Sequence, residues 1–436
     1  MNLSDRLPPP PSAATTIDVH AGRWYAPLMR ETAVCFHLMA KPAGPRCNLR
    51  CTYCFYLEKE RFFPEKTSFR MTDEVLEACT RQYIQANDAP EVIFSWQGGE
   101  PTLMGLDFYR KAVSFQKKYA AGKNIGNTLQ TNGVLLDDEW GRFLAREKFL
   151  VGLSLDGPEE IHDPCRRGPH GAPTFALAMR ALDVLKKRKV EFNILACINR
   201  KSAQKPQEVY RFFRRQGVTF VQFIPVVERM ADHDGAALAG PDAAENAAPT
   251  PWSVDPDGYG DFLCGVFDEW VRQDVGRIFV MNFEWTLAAW AGAPQTACTF
   301  AARCGRALIV EHNGDVYSCD HFMYPEYRLG NVLTDDLRAM VESEKQRAFG
   351  AGKETSLPAA CKNCDMLFAC RGGCLKHRFG SSAAGEPGLN YLCAGTKKFL
   401  RHTAGPMKAM VGLLRNRRPV STIMNMTEAA NVQQIR

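Results

Sequence analysis

The first half of the chain alternates short apolar runs with segments whose apolar residues recur at helical spacing. The runs predict strands, and the spacing between them predicts helices, the first of which Thr72 would cap. Strands that alternate with helices favour a parallel α/β sheet, which curls into a partial (β/α)6 TIM-like barrel. The predicted strands are Val34–Ala40, Val92–Trp96, Thr128–Thr131, Leu150–Leu155, Val190–Cys197 and Phe220–Pro225.

Polar or glycine-rich segments lie at the carboxyl ends of several of these predicted strands. In barrels of this class the reacting groups lie at the carboxyl ends of the strands, so segments in that position gather at one mouth. Four such segments together predict a site there more strongly than any one of them alone. They are the cysteine loop 47–54, Gln97–Pro101, Gln130–Gly133 and Ser154–Gly157.

The pattern changes after the sixth predicted strand. An Ala-, Asp-, Gly- and Pro-rich stretch comes first, then a helix over Tyr259–Arg272, and then a cysteine-rich segment with few apolar runs. That segment contains a predicted hairpin of Leu308–Glu311 and Val316–Ser318, and we expect it to fold around metal. The expected units are an irregular extension (1–33), the barrel (34–229), a connection and helix (230–297), the cysteine-rich domain (298–400) and a basic, then polar tail (401–436).

Composition narrows the class of protein and its surroundings. The chain has 436 residues, of which 45% are hydrophobic, enough for a barrel with an appendage. A net charge of +6 is modest, and no apolar run is long enough to cross a membrane, so we expect neither a nucleic-acid nor a membrane partner. Without the layout of a secretory signal, the expected compartment is the reducing cytoplasm, where sixteen cysteines indicate metal or redox chemistry rather than disulfides.

Eleven of the sixteen cysteines fall into two groups. A cubane iron–sulfur cluster takes one thiolate for each of its four irons. A group of eight therefore completes two clusters, while a group of three leaves one iron open for a small molecule. Zinc sites remain an alternative for both groups on spacing alone. The first group is Cys47, Cys51 and Cys54, and the second is Cys298, Cys304, Cys319, Cys361, Cys364, Cys370, Cys374 and Cys393.

The first group, C-x3-C-x2-C followed by Phe55, resembles the signature of the radical S-adenosylmethionine (SAM) superfamily. In that superfamily the open iron binds the amino and carboxylate groups of SAM. The resemblance implies that residues at the strand ends contact SAM, where glycines admit close backbone approach and a carboxylate can pair with an ammonium. The implied contacts are Tyr53, Gly98, Gly99, Glu100, Ser154, Asp156 and Arg166, or Arg167 beside it.

The second group resembles the SPASM domain of peptide-modifying radical SAM enzymes, which carries two auxiliary four-iron clusters. With the first group, this resemblance implies three [4Fe-4S] clusters in all. The family's interleaved pattern assigns four cysteines to each auxiliary cluster, which leaves no open iron and favours electron transfer. The implied sets are Cys298, Cys304, Cys319 and Cys374 for the first, and Cys361, Cys364, Cys370 and Cys393 for the second.

Four strings make the chain similar to anaerobic sulfatase-maturating enzymes: 51–56, 96–102, 130–133 and 318–322. The resemblance implies oxidation of a cysteine or serine in an unfolded sulfatase segment to Cα-formylglycine, by a 5′-deoxyadenosyl radical made from SAM. It implies Asp320 as the base, Tyr56 and Gln97 as peptide contacts, and an electron donor such as flavodoxin or ferredoxin.

Two other functions remain open at this point. One is a SPASM maturase that forms a thioether or an epimer on a different peptide; such enzymes often carry a peptide-binding domain before the barrel, for which residues 1–33 are too short and irregular. The other is an electron carrier without turnover, for which the segments at the strand ends would have no use. Formation of deoxyadenosine separates the carrier from the enzymes.

Overall fold

The computed structural model describes residues 33–64, 67–231, 238–241 and 247–426. The irregular extension predicted for residues 1–33 thus lies almost entirely outside the described residues. The strands are β1 (His37–Lys41), β2 (Glu91–Trp96), β3 (Asn124–Thr131), β4 (Leu150–Ser154), β5 (Glu191–Ile198), β6 (Phe220–Pro225), β7 (Phe279–Val280), β8 (Ala307–Glu311), β9 (Asp315–Tyr317), β10 (Arg328–Asn331), β11 (Gly380–Ser381) and β12 (Pro387–Leu389).

The helices cover the barrel and build most of the C-terminal half. They are α1 (Asp73–Ala86), α2 (Leu106–Tyr119), α3 (Asp138–Arg146), α4 (Glu159–His162), α5 (Phe175–Arg188), α6 (Pro206–Arg215), α7 (Pro256–Gln273), α8 (Met281–Ala291), α9 (Leu337–Glu342), α10 (Glu344–Thr355), α11 (Ala359–Lys362), α12 (Leu367–Cys370), α13 (Cys393–His402) and α14 (Ala404–Arg415).

One large sheet organises the molecule. Its order is β10-β9-β8-β1-β2-β3-β4-β5-β6-β7, and neighbours are parallel from β8 through β1 to β7. The parallel run from β1 to β6, with helices between its strands, confirms the predicted partial barrel. The short β7 extends the parallel run, although two residues are too few to show a pattern in the sequence.

Local signals explain most of the element boundaries. Thr72 caps α1 as predicted, because its hydroxyl accepts a hydrogen bond from the amide of Val75, and the helix buries Val75 and Leu76 against the sheet. The first strand differs from its prediction, since β1 begins at His37 rather than Val34. Its ladders with β8 and β2 begin at residues 37 and 38, so only this part of the apolar run is held by neighbouring strands.

The hairpin predicted in the cysteine-rich segment is present, but its place in the fold was not predicted. Strands β8 and β9 are antiparallel, and Gly314 between them has φ +88°, a left-handed conformation that favours glycine. Strand β8 also lies parallel to β1, with Lys41 opposite Glu311. The cysteine-rich segment therefore continues the barrel sheet at the β1 edge.

The segment expected to be a tail, 401–436, is folded over its described part. Helix α14 buries Met407 and Met410 completely and packs against α8. The spacing of these apolar residues is helical, but the basic residues that flank them, such as Arg415, masked this signal in the composition.

Candidate functional site

A cavity of about 440 Å³ opens at the carboxyl ends of the parallel strands. All four segments predicted to meet at this mouth contribute to its lining, and so does the cysteine-rich domain. The residues that line it include Cys47, Cys51, Cys54, Gln97, Gly98, Gly99, Glu100, Gln130, Asn132, Ser154, Arg166, Asp320, His321, Cys361, Cys364, Cys370, Cys374 and Cys393.

The three cysteines of the first loop all line this cavity. The thiol of Cys47 accepts hydrogen bonds from the Leu49 amide, at 3.3 Å, and from the side-chain amide of Asn132, at 3.7 Å. Burial, with help from Glu100 and Cys54, raises the pKa of Cys47 to about 12, and burial also raises the pKa values of Cys51 and Cys54. Thiols in such surroundings ionise when a metal replaces their protons, so this donor set fits an iron cluster.

The glycine segment packs against the backbone of the cysteine loop. The amide of Gly99 donates to the carbonyl of Gly44 at 2.8 Å, and the amide of Glu100 donates to the carbonyl of Arg46 at the same distance. A Cβ atom on Gly99 would lie only 1.9 Å from the Arg46 carbonyl oxygen. Glycine is required here because two backbones touch.

The Gly99→Ala substitution tests this contact. Because backbone cannot move aside as a flexible side chain can, we expect a loss of about 1–3 kcal/mol in unfolding free energy and weaker SAM binding. Thermal unfolding of the anaerobic protein and SAM titration measure the two effects. Gly352→Ala is the control: it lies in α10 with no atom within 4 Å of its Cβ position, and alanine there should be neutral or stabilising. Equal effects of the two substitutions would contradict the argument.

The carboxylate of Glu100 is buried and already bonded within the protein. It accepts from the amide and hydroxyl of Thr102, the hydroxyl of Thr131 and the amide of Asn132, at 2.6–3.0 Å. Burial nevertheless raises the pKa of Glu100. The carboxylate thus ties the end of β3 to the glycine segment, a role that the sequence did not indicate.

Three of the predicted SAM contacts form a buried network with one another. The Tyr53 hydroxyl donates to the Asp156 carboxylate at 2.5 Å, and Arg166 forms an ion pair with the same carboxylate at 3.1 Å. Burial opposes the charge on Arg166, but Asp156 raises the pKa of the guanidinium well above its usual value. Of these three residues, Tyr53 and Arg166 line the cavity, whereas Asp156 lies behind them and is fully buried.

The other barrel residues predicted to contact SAM or the peptide do not all line the cavity. Ser154 accepts a hydrogen bond from Gln130 at 3.1 Å, and both side chains line the cavity. Gln97 also lines it, as predicted for a peptide contact. Tyr56 is not among the lining residues: it is buried, and its hydroxyl donates to Glu311 of β8. Its local motif could not reveal this, because the partner lies 255 residues away along the chain.

The auxiliary cysteines separate into two sets, defined by which thiols shift one another's pKa values; we call these the two electrostatic sets. In the first set, Cys298 contributes to the raised pKa values of Cys304, Cys319 and Cys374, and Cys374 contributes to that of Cys319. In the second set, Cys364, Cys370 and Cys393 contribute to the raised pKa of Cys361.

Burial is the main cause of the raised thiol pKa values in both sets, including about 11 for Cys374 and about 11 for Cys361. Each set has the same members as one of the ligand groups implied by the SPASM resemblance, and the assignment of these cysteines to clusters stays a prediction. Cys370 and Cys374 are four positions apart in sequence, but they belong to different sets.

Asp320 faces the same cavity, and its partner is a lysine that the motifs did not indicate. The ammonium of Lys41, at the end of β1, lies 2.5 Å from the Asp320 carboxylate and 4.4 Å from the centre of the Tyr56 ring. Burial opposes ionisation of Asp320, but Lys41 and the other basic neighbours together outweigh it and lower the pKa of the carboxyl group. The neighbouring residue His321 has its Nδ1 atom 3.4 Å from the Sγ atom of Cys374. The available signal for Lys41 was its place directly after the first apolar run, at a barrel strand end.

Comparison with family models identifies the same two parts of the chain. Residues 42–213 match the Radical SAM superfamily, and residues 298–365 match SPASM, an iron-sulfur cluster-binding domain. The fold and the three-cysteine loop thus define a radical SAM protein with a C-terminal SPASM domain.

Individual relatives narrow the class further. The serine-type anaerobic sulfatase-maturating enzyme of Bacteroides thetaiotaomicron is 46% identical over 401 residues, which cover 92% of this chain and 96% of that protein. The cysteine-type enzyme of Clostridium perfringens is 34% identical over 84% of this chain and 95% of its own length. The structure of native anSMEcpe with bound AdoMet and Cp18Cys peptide has a TM-score of 0.76 at 32% identity, covering 87% of this chain and 99% of that one. The chain belongs to the anaerobic sulfatase-maturating enzymes.

Proposed function

We propose that this enzyme oxidises a serine or cysteine of a sulfatase polypeptide to Cα-formylglycine without oxygen. One observation carries the proposal: a single cavity joins the three-cysteine loop to Asp320. A target residue between them can lose a hydrogen atom from Cβ on one side and a proton from its hydroxyl or thiol on the other. Membership of a family with serine-type and cysteine-type enzymes supports the same reaction.

The proposed cofactors are three [4Fe-4S] clusters and SAM. Cys47, Cys51 and Cys54 would hold the first cluster, and the two electrostatic sets would hold the auxiliary clusters. Among the described residues, no three His, Cys, Asp or Glu side chains lie closely enough to hold a single metal ion. A cubane holds its thiolates farther apart than one ion does. When bound, these groups supply the deoxyadenosyl radical and accept the electron that leaves the target.

The side chains around the cavity take up the proton and position the peptide. Overall the target loses a hydrogen atom, a proton and one electron, which gives the aldehyde from serine or a thioaldehyde from cysteine. Water converts the thioaldehyde to the aldehyde and releases hydrogen sulfide. Asp320 takes the proton, because loss of the Cβ hydrogen acidifies the neighbouring O–H or S–H. Gln97, beside Lys41, is placed to contact the peptide or SAM.

The electron donor and the compartment complete the proposal. A small donor such as flavodoxin or ferredoxin would reduce the first cluster. In the described ranges, no helix combines the length and the apolar character needed to span a bilayer. We place the enzyme in the cytoplasm because a reducing compartment keeps cysteines available as metal ligands instead of forming disulfides.

Mass spectrometry of a sulfatase-derived peptide tests the proposed reaction. The reconstituted anaerobic enzyme, with SAM and a strong reductant, should convert the target serine or cysteine to an aldehyde that a hydrazide reagent traps. Parallel peptides with serine, cysteine or alanine at the target position show which side chain is used, and the alanine peptide should give no aldehyde. A thioether or an epimer in place of the aldehyde would assign the enzyme to a different peptide maturation.

Lys41→Met should reduce formylglycine formation by about 10- to 100-fold while SAM cleavage continues, because Asp320 then loses the cation that orients and ionises it. The measurement is the ratio of deoxyadenosine to formylglycine. Lys111→Met is the matched control, since Lys111 forms a similar 2.6 Å ion pair with Asp73 on the exposed surface. An unchanged ratio in Lys41→Met would exclude a role for this lysine in proton removal.

A further inference from the structure

Two buried or half-buried cations lie among the auxiliary cysteines, and neither has a carboxylate partner among the described residues. Lys353, at the end of α10, is 1% exposed, and its ammonium donates to the carbonyls of Cys298, Thr299 and Ala301 at 2.5, 2.9 and 2.5 Å. Burial lowers the pKa of Lys353 to about 8, and the described groups that oppose this shift are Cys298, Cys304 and Cys374, which would be negatively charged as cluster ligands. All three belong to the first auxiliary set.

Arg378 lies between the two sets. Its guanidinium donates to the carbonyls of Lys353, Arg371 and Gly372 at 2.6–3.2 Å, and to the hydroxyl of Ser356 at 3.1 Å. The turn at Gly372 leaves room for it, because a Cβ there would lie 2.6 Å from a guanidinium nitrogen. Burial lowers the pKa of Arg378, and the described groups that oppose this shift are two cysteines from each set, which would be negatively charged as cluster ligands: Cys304 and Cys374, and Cys361 and Cys370.

Burying a cation without a counter-charge is costly, and backbone carbonyls offset only part of that cost. A cluster held by four thiolates carries net negative charge, and reduction adds one more electron. A fixed cation beside it stabilises the reduced form and raises its reduction potential. The position of each cation therefore determines which cluster it can affect.

We propose that Lys353 and Arg378 are positioning residues that set the reduction potentials of the auxiliary clusters, Lys353 acting on the first set alone and Arg378 acting on both. This inference deepens the proposed function, because it explains how the electron from the target residue is accepted. It concerns cluster reduction itself, so its test does not depend on the identity of the peptide.

The test uses an enzyme in which Cys47, Cys51 and Cys54 are replaced by Ala, so that only the auxiliary clusters take up iron. EPR-monitored redox titration then follows their two reduction steps. Lys353→Gln keeps a hydrogen-bond donor but removes the charge, and should lower one potential by about 59 mV, a tenfold change in a one-electron equilibrium. Arg378→Gln should lower both potentials. Lys345→Gln is the matched control, an exposed lysine of α10 that also donates to a carbonyl, that of Arg328.

Charge-retaining variants keep the inference testable if a cluster is lost. If the Lys353→Gln variant loses the four irons of one cluster, Lys353→Arg should restore both the iron content and the reduction potential. Loss of iron in Lys353→Arg as well would mean that the lysine serves only packing, and would overturn the inference. It would also be overturned if both potentials stayed unchanged in Lys353→Gln and Arg378→Gln at full iron content. In either case the aldehyde assay on the intact enzyme would still decide the proposed function separately.

Discussion

Replacing Cys47, Cys51 and Cys54 together by Ala should abolish deoxyadenosine and formylglycine formation, a loss of more than about 10⁶-fold. The physical reason is that the remaining cysteines complete two clusters and leave no open iron for SAM. Iron content should fall from about twelve to about eight per chain. Iron and sulfide analysis, together with a SAM-cleavage assay under strong reduction, measures both effects.

The control for the triple variant is Cys79→Ala, which removes a buried thiol of α1 outside the three cysteine sets. It should retain full iron content and SAM cleavage. Zinc in place of iron and sulfide in the anaerobically prepared wild-type protein would remove the basis of the proposal. SAM cleavage by the triple variant would place the open iron elsewhere.

Replacing Asp320 by Asn should lower formylglycine formation by about 10²- to 10⁴-fold, whereas deoxyadenosine formation continues. Asparagine keeps the size of the side chain and its place beside Lys41, but it cannot take the proton. The radical would still form because the three-cysteine loop and the Gly98–Gly99 segment are unaltered. Quantifying both products from the same reaction gives the effect.

Asp315→Asn is the matched control for this substitution. Asp315 lies in β9, shortly before Asp320 in the sequence, and pairs with Arg328 at 2.6 Å, but it does not line the cavity. Its replacement should leave the ratio of the two products unchanged. Wild-type formylglycine formation by Asp320→Asn would assign proton removal to another group.

Much of the proposed site could be found from the sequence because its parts are local. The spacing of the cysteines fixes which thiols can share a loop, and the place of Gln97, Gly99 and Ser154 after predicted strands puts them at one mouth. The partial barrel followed from apolar runs that alternate with helical spacing. The prediction of a basic, then polar tail did not include α14, because the charges around its apolar stripe obscured the helical spacing.

Other features depend on partners far apart along the chain. Glu100 lines the cavity, and its role as a SAM contact stays a prediction, but its bonds to Thr102, Thr131 and Asn132 were not predicted. Tyr56 was expected to contact the peptide, but its hydroxyl bonds to Glu311 because β8 lies against β1. No local pattern specifies which polar group a buried side chain will meet.

The sequence by itself predicted the type and number of the cluster ligands, because a cluster needs one thiolate per iron, and the SPASM resemblance supplied their grouping into two auxiliary sets. Only the tertiary structure decided which charged side chains lie beside the predicted site residues. The parallel pairing of β8 with β1 brings Asp320 to Lys41, and the packing of α10 and the 371–378 turn brings Lys353 and Arg378 to the auxiliary cysteines. These charges act through space, over contacts that form only when distant segments pack together.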